Sequence, residues 1–249
     1  MMNVARIGKT SSVNDIGGEV SGSVDLDIEK HYVSQVYTEI APYFDSTRGY
    51  LWSWIKDFIS TIPDKSRVLD LGCGNGRKLE ACLVENRGLS VIGLDQCEKL
   101  VEICREKKCQ AVVGDICQLP FQDASVDVIM MIASFHHLAS RERRIQCLEE
   151  CYRVLTEKGK MVISVWSINQ PAKTRRVFKH YGDHIVPWTQ PGRKKREGVV
   201  EKKEKTYHRY YYLFEISELE QLCQECGFKI YHKLWDCGNE ILYLAKIPK

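Results

Sequence analysis

Nine consecutive residues constrain the fold more than any others: Val68-Leu69-Asp70-Leu71-Gly72-Cys73-Gly74-Asn75-Gly76. An apolar run of strand length ends in a turn of alternating glycines, and helical spacing resumes at Arg77. Such a turn lets the chain reverse tightly and lets a ligand approach the backbone. A G-x-G alone is weak, because many nucleotide-binding folds carry one. Gly72, Gly74 and Gly76 alternate instead of spelling G-x-G-x-x-G, so a pyrophosphate at the helix N-terminus is not the expected ligand.

The segments around this turn alternate in kind. Arg67–Leu71, Ser90–Asp95, Cys109–Gly114, Val126–Ile132 and Lys160–Trp166 read as strands; Arg77–Glu85, Glu98–Lys107 and Arg141–Leu155 read as helices. That order predicts an α/β fold, a mostly parallel sheet with helices on both faces. Phe228–Trp235 and Glu240–Ile247 are expected to close it as an antiparallel pair. Upstream, Val33, Val36, Tyr37 and Ile40 share a helical face that Pro42 is expected to stop, and Leu51–Ser60 forms another helix. Residues 1–27 read as a flexible tail and 28–249 as one domain. Prolines and a basic run mark 168–206 as a loop insertion, and Ser217 with Glu220 predicts a capping box.

Three acidic residues fall at strand ends around the turn. Asp70 precedes the first glycine, Asp95 lies 21 residues after Gly74, and Asp115 follows Gly114. A carboxylate at Asp95 suits the two hydroxyls of a ribose, and Asp115 suits an adenine amino group with Ile116 against the ring. Singly, each also suits a helix cap or turn. Together they describe a nucleoside pocket with no phosphate demand, and S-adenosylmethionine meets that description. The candidate cofactor-binding residues are Asp70, Gly72, Cys73, Gly74, Asp95, Gln96, Asp115, Ile116 and Ala133.

VLDLGCGNG, VIGLD, VVGDI and VDVIMMIASFHH resemble the motifs of class I methyltransferases over about residues 66–166. The resemblance implies a Rossmann-like, seven-stranded sheet whose last strand is antiparallel. Tyr32–Tyr37 with Glu39–Phe44 and Ser46-Thr47-Arg48, then His136-His137, Arg141–Arg144, Val165-Trp166, Val186-Pro187-Trp188 and Tyr207–Tyr211, are similar to a narrower family. It is that of the eukaryotic tRNA wobble-uridine carboxymethyl methyltransferases, which includes the methyltransferase domain of the AlkB-type tRNA hydroxylase. That resemblance implies methyl esterification of 5-carboxymethyluridine at position 34. It makes Arg48 a candidate to orient the substrate carboxylate, places His136 and His137 at the catalytic rim with one facing substrate, and offers Trp166 as a stacking wall; a core indole is an equal reading. It also implies a small zinc-binding activator subunit on the sheet edge near Ala111–Val113, giving a heterodimer.

The formal charge of +3 does not by itself identify a nucleic-acid partner. The basic cluster Arg193, Lys194, Lys195, Arg196, Lys202 and Lys203, with Tyr207, Arg209 and Tyr210, is the candidate tRNA-binding surface. Eleven cysteines in no framework spacing, behind a polar Met1–Asn14, predict buried thiols in a cytoplasmic or nuclear protein. No stretch reads as a membrane span. Cys223-x-x-Cys226 sits on one helix without a second pair, so no metal is expected. Two alternatives stay open: a quinone- or sterol-type small-molecule methyltransferase, and a non-catalytic scaffold of the same fold.

Overall fold

A computed structural model describes residues 20–47, 50–85, 87–174, 176–190 and 204–248. Strands β1 (Arg67–Leu71), β2 (Ser90–Asp95), β3 (Ala111–Val113), β4 (Val126–Ile132) and β5 (Leu155–Trp166) pair in parallel. Strands β6 (Gly182–Thr189) and β7 (Thr206–Leu213) form a separate antiparallel ribbon. The chain then returns as β8 (Phe228–Asp236) and β9 (Asn239–Lys246), and β9 inserts antiparallel between β5 and β8. The main sheet therefore reads β3-β2-β1-β4-β5-β9-β8, and its order reverses at β1. The carboxyl ends of β1 and β4 flank the crevice where open α/β sheets bind ligands.

Helix α1 (Val20–Glu29) passes through a π-helical turn, Lys30–Ser34, into α2 (Gln35–Thr47). Helices α3 (Ser53–Ser60), α4 (Arg77–Val84) and α5 (Glu98–Glu106) cover one face of the sheet, through Ile55, Leu79 and Val101. Helices α6 (Arg141–Val154) and α7 (Ile216–Glu225) cover the other, through Leu148 and Leu222. In β4, Val128, Met130 and Ile132 enter the first layer while Ile129 and Met131 enter the second. A strand buried on both faces needs a continuous apolar run, which is why this segment is legible without alternation. All the cysteines except Cys226 and Cys237 are buried. No helix among the described residues is long and apolar enough to cross a membrane.

Four expectations need correction. The tail expected over 1–27 is helical from Val20. Helix α2 runs through Pro42, whose missing N–H removes the bond to the Thr38 carbonyl. Ile40 and Ala41, both fully buried, anchor the helix there, and Tyr37 meets Phe44 edge-on at 5.6 Å across the break. Pro187 lies inside β6, opposite His208, in the segment expected to be loop. A two-stranded ribbon has only edge strands, where a proline is tolerated. Finally, Ser217 is not a cap: α7 starts one residue earlier, with Glu215 at the N-cap position and no side-chain capping bond.

Candidate active site

The glycine turn is held to the end of β2. Gly72 and Cys73 both donate their N–H groups to the Leu94 carbonyl, at 2.8 and 3.1 Å. Gly72 and Gly74 have φ of 69° and 57°, the left-handed region that favours glycine. A Cβ on Gly72 would lie 2.4 Å from the Ser134 Cβ, so the close approach of β4's end also requires glycine. Asp95 completes the turn: Oδ2 accepts from the Gly74 N–H and Oδ1 from the Cys97 N–H, each at 2.9 Å. A carboxylate offers about four acceptor positions, so both oxygens retain capacity toward a ligand. Burial raises the Asp95 pKa, against the two N–H bonds that lower it.

Asp95 borders a cavity of about 210 Å³ at the sheet's switch point. Of the candidate cofactor-binding residues, Gly72, Cys73, Gly74, Gln96, Asp115, Ile116 and Ala133 also line it. The backbone of Ala133 is left-handed, with φ of 56°. Asp70 does not line the cavity. It is fully buried behind the turn, its carboxylate 3.3 Å from Lys78 Nζ, and both oxygens lack a hydrogen bond among the described residues. Burial pushes its pKa up to about 6. Lys78 is the member of this pair that reaches the cavity.

Asp115 is in place but already engaged. Arg143 contacts it with two nitrogens, at 2.9 and 3.2 Å, and Cys117 N–H donates to Oδ1 at 2.9 Å. Arg143 also donates to Glu29 at 2.8 Å, and Glu29 accepts from the Ala139 N–H. The first N-terminal helix is thus tied by charge to the adenine side of the expected pocket. Glu29, Tyr37, Lys78 and Arg143 all line the cavity, and none of them is among the site residues expected from sequence. Tyr37 had a signal, since it shares the inward face of its helix with Val33 and Ile40.

The paired histidines separate in role. His137 lines the cavity; His136 is 1 % exposed, and its Nδ1 accepts from the Trp166 N–H at 3.0 Å. His137 Nδ1 lies 2.7 Å from the Tyr210 carbonyl, which can only accept, so Nδ1 carries the proton. Nε2 must then accept, and the Tyr37 hydroxyl donates to it at 3.0 Å. Both ring nitrogens are committed, and burial lowers the His137 pKa to about 3. Trp166 is stacked on Tyr211, 3.9 Å between ring centres, with the Arg176 guanidinium 4.3 Å from the indole centre. It does not line the cavity, and the core-indole reading holds.

Two tRNA candidates are interior. Arg209 and Tyr210 are 1 % and 2 % exposed, and the Tyr210 hydroxyl donates to Asp183. Their strand packs on the histidine turn, which leaves neither free to meet a phosphate. Tyr207 is half-exposed, 5.9 Å from Trp188, with Lys205 4.7 Å over its ring. Arg48, Arg193, Lys194, Lys195, Arg196, Lys202 and Lys203 lie outside the described residues.

A methyltransferase domain model matches residues 69–163. A tRNA (carboxymethyluridine(34)-5-O)-methyltransferase of Schizosaccharomyces pombe is 33% identical over 226 residues, covering 87% of this chain and 96% of that protein. The chain belongs to that methyltransferase family. The Xenopus tropicalis relative of the same description is 33% identical over 274 residues, 92% of this chain, but the chain spans only 42% of that relative's length. Among solved structures, the PH0226 protein of Pyrococcus horikoshii aligns with TM-score 0.64 at 18% identity, over 85% of this chain and 98% of that one. A Haloferax volcanii methyltransferase in complex with the Trm112 activator aligns with TM-score 0.61 at 17% identity, over 87% and 98%. These two show the shared fold. In this family setting the glycine turn, Asp95 and the cavity between them fit an adenosyl group, and S-adenosylmethionine is the cofactor.

Proposed function

We propose that this domain methyl-esterifies the carboxymethyl group of 5-carboxymethyluridine at tRNA position 34, with S-adenosylmethionine as donor. The carrying observation is Asp95, which closes the glycine turn through Gly74 N–H and keeps acceptor capacity toward the cavity. The family assignment supports the acceptor. Asp95 would hold the ribose hydroxyls, with Gln96 beside it and Ile116 against the base. The bound donor supplies a sulfonium methyl group.

The residues present suit an acceptor that is already ionised. A carboxylate has lost its proton near neutral pH and needs no general base. His137 supplies none, because Nδ1 is protonated toward Tyr210 and Nε2 is occupied by Tyr37. What these residues can do is fix the cavity wall, so that proximity and alignment carry the rate.

The β3 edge supports a partner. On the side away from β2, no strand pairs with β3 among the described residues, and Val113 is 44 % exposed. An uncovered apolar edge invites association. A small zinc-binding activator subunit covering Ala111–Val113 is part of this reading, as is work in the cytoplasm or nucleus. Nucleoside mass spectrometry of tRNA from cells lacking this protein tests the substrate. The methyl ester should vanish and the free acid accumulate; an unchanged ester refutes the assignment.

A further inference from the structure

Arg209 is a buried cation with no anionic partner among the described residues. It sits in β7 opposite Val186, 1 % exposed, and no carboxylate or carbonyl bonds its guanidinium among the described residues. Its Nε has no hydrogen-bond partner among the described residues. Around it are rings: Tyr211 at 5.2 Å and Trp166 at 6.0 Å from the guanidinium carbon. Buried charges are ordinarily paired, because removing one from water is costly. Cation–π contact offsets only part of that cost.

Arg209 does not itself line the cavity; its charge lies behind the wall that Tyr37 and His137 form. The guanidinium interacts with the Tyr37 hydroxyl, and its field helps keep His136 and His137 neutral. Tyr37 and His137 both line the cavity. Tyr37 gives its proton to His137 and His137 gives its own to the Tyr210 carbonyl, so neither is left with a proton for a substrate anion. Among the described residues, that corner has a positive charge behind its wall and no carboxylate acting on Arg209 or His137.

We infer that Arg209 is the positioning residue that selects an anionic acceptor, the carboxylate of the carboxymethyl group supplying against Tyr37 the counter-charge the fold omits. This rests on the substrate reading above and adds the residue that reads the charge. It also explains why a basic residue of the β6–β7 ribbon is turned inward.

The test compares two anticodon stem-loop RNAs, one carrying 5-carboxymethyluridine and one its methyl ester, equal in sequence but differing in charge. Binding is measured with S-adenosylhomocysteine present, and S-adenosylhomocysteine affinity reports that each variant is folded. The wild-type protein should prefer the acid. Arg209→Met should lose roughly tenfold or more of that preference, with donor affinity retained, and Arg209→Lys should recover part of it. A wild-type preference that Arg209→Met keeps overturns the role of Arg209 alone. Equal binding of both RNAs by the wild-type protein overturns the substrate reading and this role together. Should Arg209→Met not fold, the 15N signal of Arg209 Nε in the wild-type protein is read instead, assigned with Arg209→Lys. It should move with the acid RNA and stay with the ester; no movement with the acid overturns the inference.

Discussion

Asp95 does two jobs with one carboxylate. It receives two backbone N–H groups that shape the turn and keeps lone pairs for the ligand. Charge-assisted bonds of this kind are worth about 1.5–3 kcal/mol each. Asp95→Ala should therefore weaken S-adenosylhomocysteine binding roughly 10- to 100-fold in calorimetry; wild-type affinity would remove Asp95 from the donor site. Asp70 makes a different prediction, about pH. Its folded pKa of about 6 stands above the ordinary carboxylate value, so the folded state favours the proton. The stability it contributes is complete below about pH 4 and is lost as pH rises through about 6, about 3 kcal/mol in all. His136 and His137, with lowered pKa values, act in the opposite sense as pH falls below about 6.5. Urea denaturation of Asp70→Asn beside the wild type isolates the Asp70 part. The variant should gain on the wild type between pH 4 and pH 7, and a constant difference would contradict the assignment.

At the level of elements, the sheet was legible and the N-terminal and ribbon segments were not. The bounds of β1, β2 and β4 match their apolar runs because those strands are buried on both faces, where composition alone sets the ends. Helix α1 was missed because Val20–Glu29 carries little apolar periodicity. What fixes its end is Glu29, through Arg143 and the Ala139 N–H, a contact between residues 114 apart in sequence. No local pattern reports such a pair. The same holds for Tyr37, Tyr210 and Arg209, whose meeting depends on β7 folding back onto the histidine turn. Pro187 looked like a breaker because a sequence does not announce that its strand has only one neighbour. Glu29 is 6 % exposed, so Glu29→Ala leaves Arg143 half-matched and should cost roughly 3 kcal/mol in urea denaturation. A loss under about 0.5 kcal/mol would mean that α1 is not held by this pair.

The whole molecule is a donor cavity at a sheet switch point, roofed by the N-terminal helices and flanked by the β6–β7 ribbon. At one end of the sheet, β3 has no strand on the side away from β2 among the described residues. Val113→Lys should abolish binding of a small activator subunit in co-purification while leaving donor affinity intact; a partner that still co-purifies does not use this edge. The basic run 193–205 supports phosphate binding, so neutralising Arg193–Arg196 with Lys202 and Lys203 should weaken tRNA binding and flatten its salt dependence by about 0.7 for each phosphate no longer neutralised. An unchanged slope would place the RNA elsewhere. The most direct measurement supplies the protein, together with the proposed activator subunit, with labelled S-adenosylmethionine and an anticodon stem-loop carrying 5-carboxymethyluridine. Label should enter as an ester that mild alkali releases, and only where the free acid is present. Label on unmodified RNA or on lipid instead, with none on the acid, would contradict the account.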